Sequence, residues 1–382
     1  MLLNDVLQAF EKQYGMPPEL RVKAPGRINI IGDHTDYNMG FVLPAAIDRY
    51  TWLAGSKNDS QSISVTSGDY NQTLEITPDI QAVTSSHWQK YIEAIVIILA
   101  EQGHTISGFN MLIGGNIPIG AGLSSSAALS CGIIFCINEL FHLNIQKADM
   151  ALLAQATEVR IGLNCGLMDQ YAVLNSKAGH CLFLDCRNLQ FDFLPTEFPS
   201  YSIVLINSHV THHLAESEYN HRRADVEESL AVLQQTFPEV ASPRDVNTDM
   251  MKEVQNDLTA KGYRRLSFVL EENDRVINTY KALKAGDMKK TGLLMNASHQ
   301  GLSTLYEVSC PELDFLADFA QSQDHVAGSR MMGGGFGGCT INLVKLGFEE
   351  RFITATQEVY KSQLNREASG IPVGIGEGVS LV

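Results

Sequence analysis

Residues 118–128 read Pro118-Ile-Gly-Ala-Gly-Leu-Ser-Ser-Ser-Ala-Ala128. Glycines at 120 and 122 allow a sharp turn and a close approach of backbone to a ligand. The serines open an Ala- and Leu-rich segment predicted as a buried helix over 123–140. The first N–H groups of such a helix lack intrahelical partners, and its dipole favours an anion. Serine is also an ordinary helix cap, but two glycines and three consecutive serines exceed what a cap requires. The stretch therefore reads as a phosphate cradle, with Gly120, Ala121, Gly122, Leu123, Ser124, Ser125 and Ser126 as candidate contacts and a serine hydroxyl available to Mg²⁺. It is not a Walker A loop, because the chain contains no Gly-Lys pair.

A second glycine run, Gly333-Gly-Gly-Phe-Gly-Gly338, formally matches G-x-G-x-x-G. The dinucleotide fingerprint must follow a strand and open a helix. Here the sequel, Cys339-Thr-Ile-Asn-Leu-Val344, alternates and is β-branched, so it predicts a strand. A glycine loop between two strands fits either a hairpin lying against a ligand or a flexible turn. Towards the N-terminus, Ala24-Pro-Gly-Arg-Ile-Asn-Ile-Ile-Gly-Asp-His-Thr-Asp-Tyr-Asn38 crowds charged and polar groups around an apolar centre, behind what reads as a Pro-Gly turn.

Composition narrows the class. The 382 residues are 45% hydrophobic and 19% charged, a globular balance with room for two domains. A net charge of −15 argues against nucleic acid or an anionic membrane as the main partner. The longest apolar run, 95–100, is too short to span a bilayer, and the N-terminus lacks the apolar core of a secretory signal. Seven cysteines without a C-x-x-C pair read as reduced, buried thiols of a cytoplasmic protein.

Strands are expected at 20–23, 41–53, 63–66, 74–76, 109–113, 180–184, 201–206, 326–332 and 339–344, with a last one over 372–382. Helices are expected at 88–102 and 147–160, and through much of 216–283. Strands and helices mix without a regular βαβ beat, which predicts an α+β fold with two domains, 1–175 and 176–382.

Taken together and in this order, the motifs resemble a known family. Residues 25–38 resemble the galactokinase signature. Residues 118–128 and Met332-Gly-Gly-Gly-Phe-Gly-Gly-Cys339 resemble the ATP loop and third motif of the GHMP small-molecule kinases. Cys165-Gly-Leu-Met-Asp-Gln170, the run Asn207 to Arg223, Asn296-Ala-Ser-His299 and residues 308–314 are similar to galactokinases too. The resemblance implies a GHMP-kinase-like fold: a mixed sheet with helices in the N-terminal half, antiparallel sheet with helices in the C-terminal half, and the active site between them. It implies ATP-dependent phosphorylation of the anomeric hydroxyl of galactose, with Mg²⁺, by a cytoplasmic monomer. A kinase for another monosaccharide, such as an N-acetylhexosamine or a pentose, or a non-catalytic galactose- and ATP-responsive regulator, stays open beside it.

The resemblance also implies roles. Asp169 would take the proton of the sugar hydroxyl, and Arg27 would hold Asp169 ionised near the transferring phosphoryl group. Asp33, His34, Thr35, Asp36, Gly166 and Tyr219 would meet the sugar. Ser67 and Trp88 would join the loop at ATP, and Ser126 with Glu158 would hold the metal. Taken alone, Asp169 could be a helix cap, Arg27 a surface cation and Trp88 a packing residue. Two departures stand out. The family's usual metal carboxylate would fall on Thr157, one position before Glu158. Asp33 replaces the glutamate that meets the C6 hydroxyl, retracting the carboxylate by about 1.5 Å, one C–C bond.

Overall fold

The computed structural model describes every residue except 119, 197, 199 and 211–214, and the side chains of 215–217 are also left out. Ile119 of the first glycine loop and residues 211–214 of the Asn207–Arg223 motif therefore lie outside the described residues.

A six-stranded sheet runs in the order Ser380–Leu381, Leu20–Asn29, Pro44–Lys57, Phe109–Gly115, Ile63–Ser67, Gln72–Ile76. It is mixed, because Ile63–Ser67 pairs parallel with Phe109–Gly115 while its other pairs are antiparallel. A four-stranded sheet, in the order Val326–Met331, Cys339–Lys345, Tyr201–Asn207, Ser369–Val373, is antiparallel throughout. A small sheet joins Phe41–Val42, His180–Asp185 and Phe191–Pro195. The α+β expectation of a mixed N-terminal sheet and an antiparallel C-terminal one is met.

The Ser125–Phe141 helix is apolar around nearly its whole circumference and is buried accordingly, against the Leu20–Asn29 and Pro44–Lys57 strands. It lies close to the sheet. A Cβ on Gly132 would come within 2.8 Å of Leu53 and 3.0 Å of Ala24. The main core fills the space between this sheet and its helices. A second cluster lies among the helices of residues 215–304.

Two expectations are corrected. Pro25-Gly26 is not a turn: the strand runs on from Leu20 to Asn29, with a register shift between Pro25 and Arg27. A bulge is where a strand tolerates proline, which has no N–H to give the ladder. The expected last strand over 372–382 is two strands in different sheets, Ser369–Val373 and Ser380–Leu381. Glycines 374, 376 and 378 separate them, and a weak bridge from Ile375 to Ile47 marks the crossing.

The fold brings the three motifs together. The backbone N–H of Arg27 donates to the Leu123 carbonyl at 3.1 Å, pinning the glycine loop to the first long strand. The second glycine run caps a strand pair, with Met332 N–H donating to Cys339 O at 3.0 Å. Its Gly333 and Gly338 sit against Gly122 and Ala121.

Candidate active site

Arg27 lies at the bulge, its side chain 5% exposed. Its Nε donates to Asp169 Oδ1 at 2.8 Å and its Nη2 to Oδ2 at 3.0 Å, a two-pronged pair 142 positions apart in sequence. Nη1 donates to the Gly122 carbonyl at 2.6 Å. The hydroxyl of Ser124 also donates to Asp169 Oδ2. Ser124, expected at ATP, thus turns its side chain to the carboxylate, and does so from a left-handed backbone conformation (φ 55°). With Oδ2 holding two donors and Oδ1 one, Oδ1 keeps the freer lone pair.

This pair borders a cavity of about 250 Å³ whose lining includes Asp33, His34, Asp36, Glu158, Gly166 and Tyr219. A larger cavity of about 580 Å³ is lined by Ser67, Trp88, Ser125 and others, and Ser126 borders both. A small pocket rich in hydrogen-bonding groups thus adjoins a larger one at a helix N-terminus.

The sugar-signature turn carries most of the small pocket. Asp33 is 1% exposed, with Oδ1 accepting from Asn29 Nδ2 at 3.1 Å and Oδ2 lying 2.5 Å from Arg330 Nη1. His34 is buried, and burial pushes its pKa down to about 4, so it is neutral at pH 7. Asp36 accepts from the backbone N–H groups of Tyr37 and Met168, yet burial and then the nearby Asp169 charge raise its pKa to about 6. Gly166 has a physical reason beyond ligand approach: a Cβ there would lie 1.9 Å from Asp36 Oδ2. Thr35 departs from expectation. Its hydroxyl shares its one proton between the Gly32 and Phe41 carbonyls, 2.7 and 2.6 Å away, so it staples the turn and does not line the pocket.

Glu158 points into the pocket and Thr157 does not, since Thr157 Oγ1 bonds back to Leu153 O at 2.8 Å within its helix. Glu158 Oε2 accepts from Cys165 Sγ at 2.7 Å and from Gln170 Nε2 at 3.0 Å. Among the described residues its buried Oε1 has no hydrogen-bond partner within bonding distance, and the Ser126 hydroxyl lies beside the carboxyl. Burial raises the pKa of Glu158. A buried carboxylate oxygen lacking a partner beside a hydroxyl fits a divalent cation that completes its shell with phosphate and water.

In the larger cavity Ser67 accepts from Tyr70 N–H at 3.3 Å. Trp88 is 8% exposed and belongs mainly to the core, so only its edge faces the cavity. Gly120 and Gly122 are exposed, Ala121 and Leu123 are buried beneath them, and none of the four lines either cavity. Sequence reasoning missed Lys90 and Tyr91 of the larger cavity and Arg330 behind the smaller one. Arg330 stands two residues before Met332 and its glycines, the only signal it offered.

Comparison with known proteins points to one family. The galactokinase galactose-binding signature matches residues 8–57, the GHMP kinase N-terminal domain residues 90–177, and the GHMP kinase C-terminal domain residues 279–361. A galactokinase of Roseiflexus sp. (strain RS-1) is 39% identical over 99% of this chain and 97% of its own length. One from Thermotoga maritima is 37% identical over 95% of this chain and all of its own. The crystal structure of Lactococcus lactis galactokinase complexed with galactose superimposes with a TM-score of 0.96, at 33% identity and with full coverage of both chains. A Methanococcus jannaschii mevalonate kinase shares the fold at a TM-score of 0.68 and 18% identity, covering 94% of this chain and 98% of that one.

Proposed function

This chain belongs to the galactokinase family of the GHMP kinases, and from that premise we propose that the smaller cavity holds galactose, the larger one ATP, and that Asp169 and Arg27 carry the transfer between them. The reaction is phosphorylation of galactose by ATP at its anomeric hydroxyl. The observation that best supports the residue roles is the two-pronged Arg27–Asp169 pair beside Ser126, the residue common to both cavities. Asp169 Oδ1 accepts the hydroxyl proton as the oxygen attacks the γ-phosphorus. Arg27 supplies a fixed positive charge to the phosphoryl oxygens. ADP release measured over a panel of monosaccharides tests the reading. Turnover should depend on galactose, and a chain that binds both ligands without releasing ADP would overturn it.

Mg²⁺ fits Ser126 and Glu158, and when bound it would neutralise charge on the phosphate oxygens. Glu158→Gln should raise the Mg²⁺ concentration needed for tight ATP binding by about tenfold or more, the penalty for losing a carboxylate ligand or its support. Titration of ATP affinity against Mg²⁺, read by calorimetry, checks this. An unchanged Mg²⁺ dependence would move the metal elsewhere. Seven unpaired cysteines fit a reducing cytoplasm.

Asp36 gives the galactose site a pH dependence. Its carboxylate accepts sugar hydroxyls most strongly when ionised, and its pKa in the folded protein is about 6. Galactose KM should therefore rise as pH falls, by at most about tenfold at pH 5. Asp36→Asn should flatten the profile. The stability effect has the opposite sign. The folded state favours neutral Asp36, so this group's contribution is greatest below the ordinary aspartate value of 3.8 and is lost as pH climbs through about 6.

A further inference from the structure

We propose that Gln170 and Cys165 are positioning residues that hold Glu158 by one carboxylate oxygen, Oε2, so that Oε1 alone is presented to the cation that accompanies ATP. This rests on the reading that Mg²⁺ is held at Ser126 and Glu158. Glu158 lies in the last turn of the Lys147–Arg160 helix and is 4% exposed. Its Oε2 accepts from Gln170 Nε2 at 3.0 Å and from Cys165 Sγ at 2.7 Å. A carboxylate oxygen has two lone pairs to offer, so these two donors fill Oε2. Among the described residues the buried Oε1 has no partner within bonding distance.

The acceptor sets the direction of both bonds. A carboxylate that ligates a cation is ionised and has no proton to give. The thiol and the amide must therefore donate, and turning the Gln170 amide over would set its oxygen against the carboxylate. The donors are themselves held. Gln155, on the same helix as Glu158, donates from Nε2 to Cys165 O at 3.0 Å, and Leu163 N–H donates to Glu158 O at 2.9 Å. The connection over 161–167 is thus folded back on the helix end, which brings Cys165 to the carboxylate. Gln170 Nε2 also lies 3.7 Å from Cys165 Sγ, so the two donors brace each other. Gln170 is fully buried and follows Asp169 directly in the Met168–Asn175 helix. It therefore fixes the metal carboxylate relative to the base. Gln170 lines neither cavity, so its effect on ATP must pass through Glu158.

The test is ATP affinity measured by calorimetry with saturating Mg²⁺ and again in EDTA, the ratio of the two being the gain that Mg²⁺ brings. Gln170→Met keeps much of the volume and removes the N–H donors. The ratio should fall about tenfold, the penalty for losing the support of a metal ligand, while the affinity in EDTA and the affinity for galactose stay within about twofold. General loosening of the site would move all three together. Cys165→Ala should lower the ratio by about threefold, since a thiol is a weak donor, and Cys165→Ser, which keeps a donor, should stay within about twofold of the wild type. Glu158→Gln removes the group through which both residues act, so adding Gln170→Met to it should lower the ratio little further. A wild-type ratio in Gln170→Met, where Glu158→Gln alone lowers it, overturns the proposal, as does an independent loss of about tenfold on top of Glu158→Gln. If Gln170→Met does not fold, the Cys165 variants decide, and equal ratios in the wild type, Cys165→Ala and Cys165→Ser overturn it. An unchanged ratio in Glu158→Gln itself removes the metal reading and the proposal with it. The expected ratios in a protein that fails to phosphorylate galactose would count against the functional reading and leave the proposal standing.

Discussion

Asp169→Asn should lower kcat by about 10³-fold, within the range of general base effects, while galactose affinity and the fold change little. The substitution keeps the shape of the side chain and removes its ability to take a proton. It also reverses one contact. Arg27 presents N–H groups to both carboxylate oxygens, and an amide can offer an oxygen to only one of them. The Ser124 hydroxyl, which donates to Oδ2, can rotate to accept from the amide. The local structure therefore has a way to absorb part of the change, and unfolding measurements on the purified variant should show a loss of about 1.5–3 kcal/mol, the worth of a hydrogen bond to a charged group. Single-turnover kinetics separate the chemical step from binding. A variant that turns over at wild-type speed would remove Asp169 from the mechanism. A residual rate well above the expected loss would mean that positioning dominates, in which case Arg27→Ala should be the more damaging change. The Arg27 side chain holds Asp169 and, through the Gly122 carbonyl, the glycine loop as well.

What the sequence disclosed of this site depended on whether a residue's partners could be inferred from its neighbours. The glycine–serine loop was legible because backbone turning and helix-terminal donors are local properties. The α+β class was legible because most strands and helices carry their own periodicity. Arg27 and Asp169 could be joined across 142 positions only through the resemblance of their motifs. Thr35 was expected at a ligand and is held instead by the turn, and Trp88 is held mainly by the core, with only its edge at the larger cavity. Their environments are set by Gly32 and Phe41 in the one case and by the main core in the other. Pro25-Gly26 has the composition of a turn. Its conformation is decided by pairing with Tyr50 and Ala46 on either side of the bulge, which no local reading contains. The hydrogen bond between the Tyr37 and Tyr306 hydroxyls joins residues 269 positions apart. A tyrosine in a polar turn and another at a helix end give no sign of meeting.

Arg330 is the extreme case, and the largest stability effect should come from it. The guanidinium is fully buried. Its Nε donates to Ile30 O at 2.8 Å, Nη2 to Asn29 O at 2.7 Å and Nη1 to Met331 O at 2.8 Å, and Nη1 lies 2.5 Å from Asp33 Oδ2. One side chain from the C-terminal sheet thus ties down the end of the first long strand and the carboxylate of the sugar turn. Arg330→Met keeps much of the volume and removes every donor. Asp33, with Asn29 as its one remaining side-chain partner among the described residues, would be a buried charge without a counter-ion. Breaking such a pair from one side costs about 3–5 kcal/mol. Asp33→Asn should cost less, because Arg330 keeps its three carbonyl acceptors. In Asp33→Asn with Arg330→Met neither charge remains, so the pair should be less destabilised than the sum of the single variants by about 1–3 kcal/mol, the coupling expected of residues in contact. Denaturant unfolding of the four proteins measures this directly. Additive losses, or a loss below about 1 kcal/mol in Arg330→Met, the ordinary cost of a surface pair, would mean that the ion pair is not what holds the turn. If the coupling is found, galactose KM should rise with it while ATP KM holds. Asp33 and His34 belong to the turn that Arg330 fastens, and the larger cavity is built from other strands.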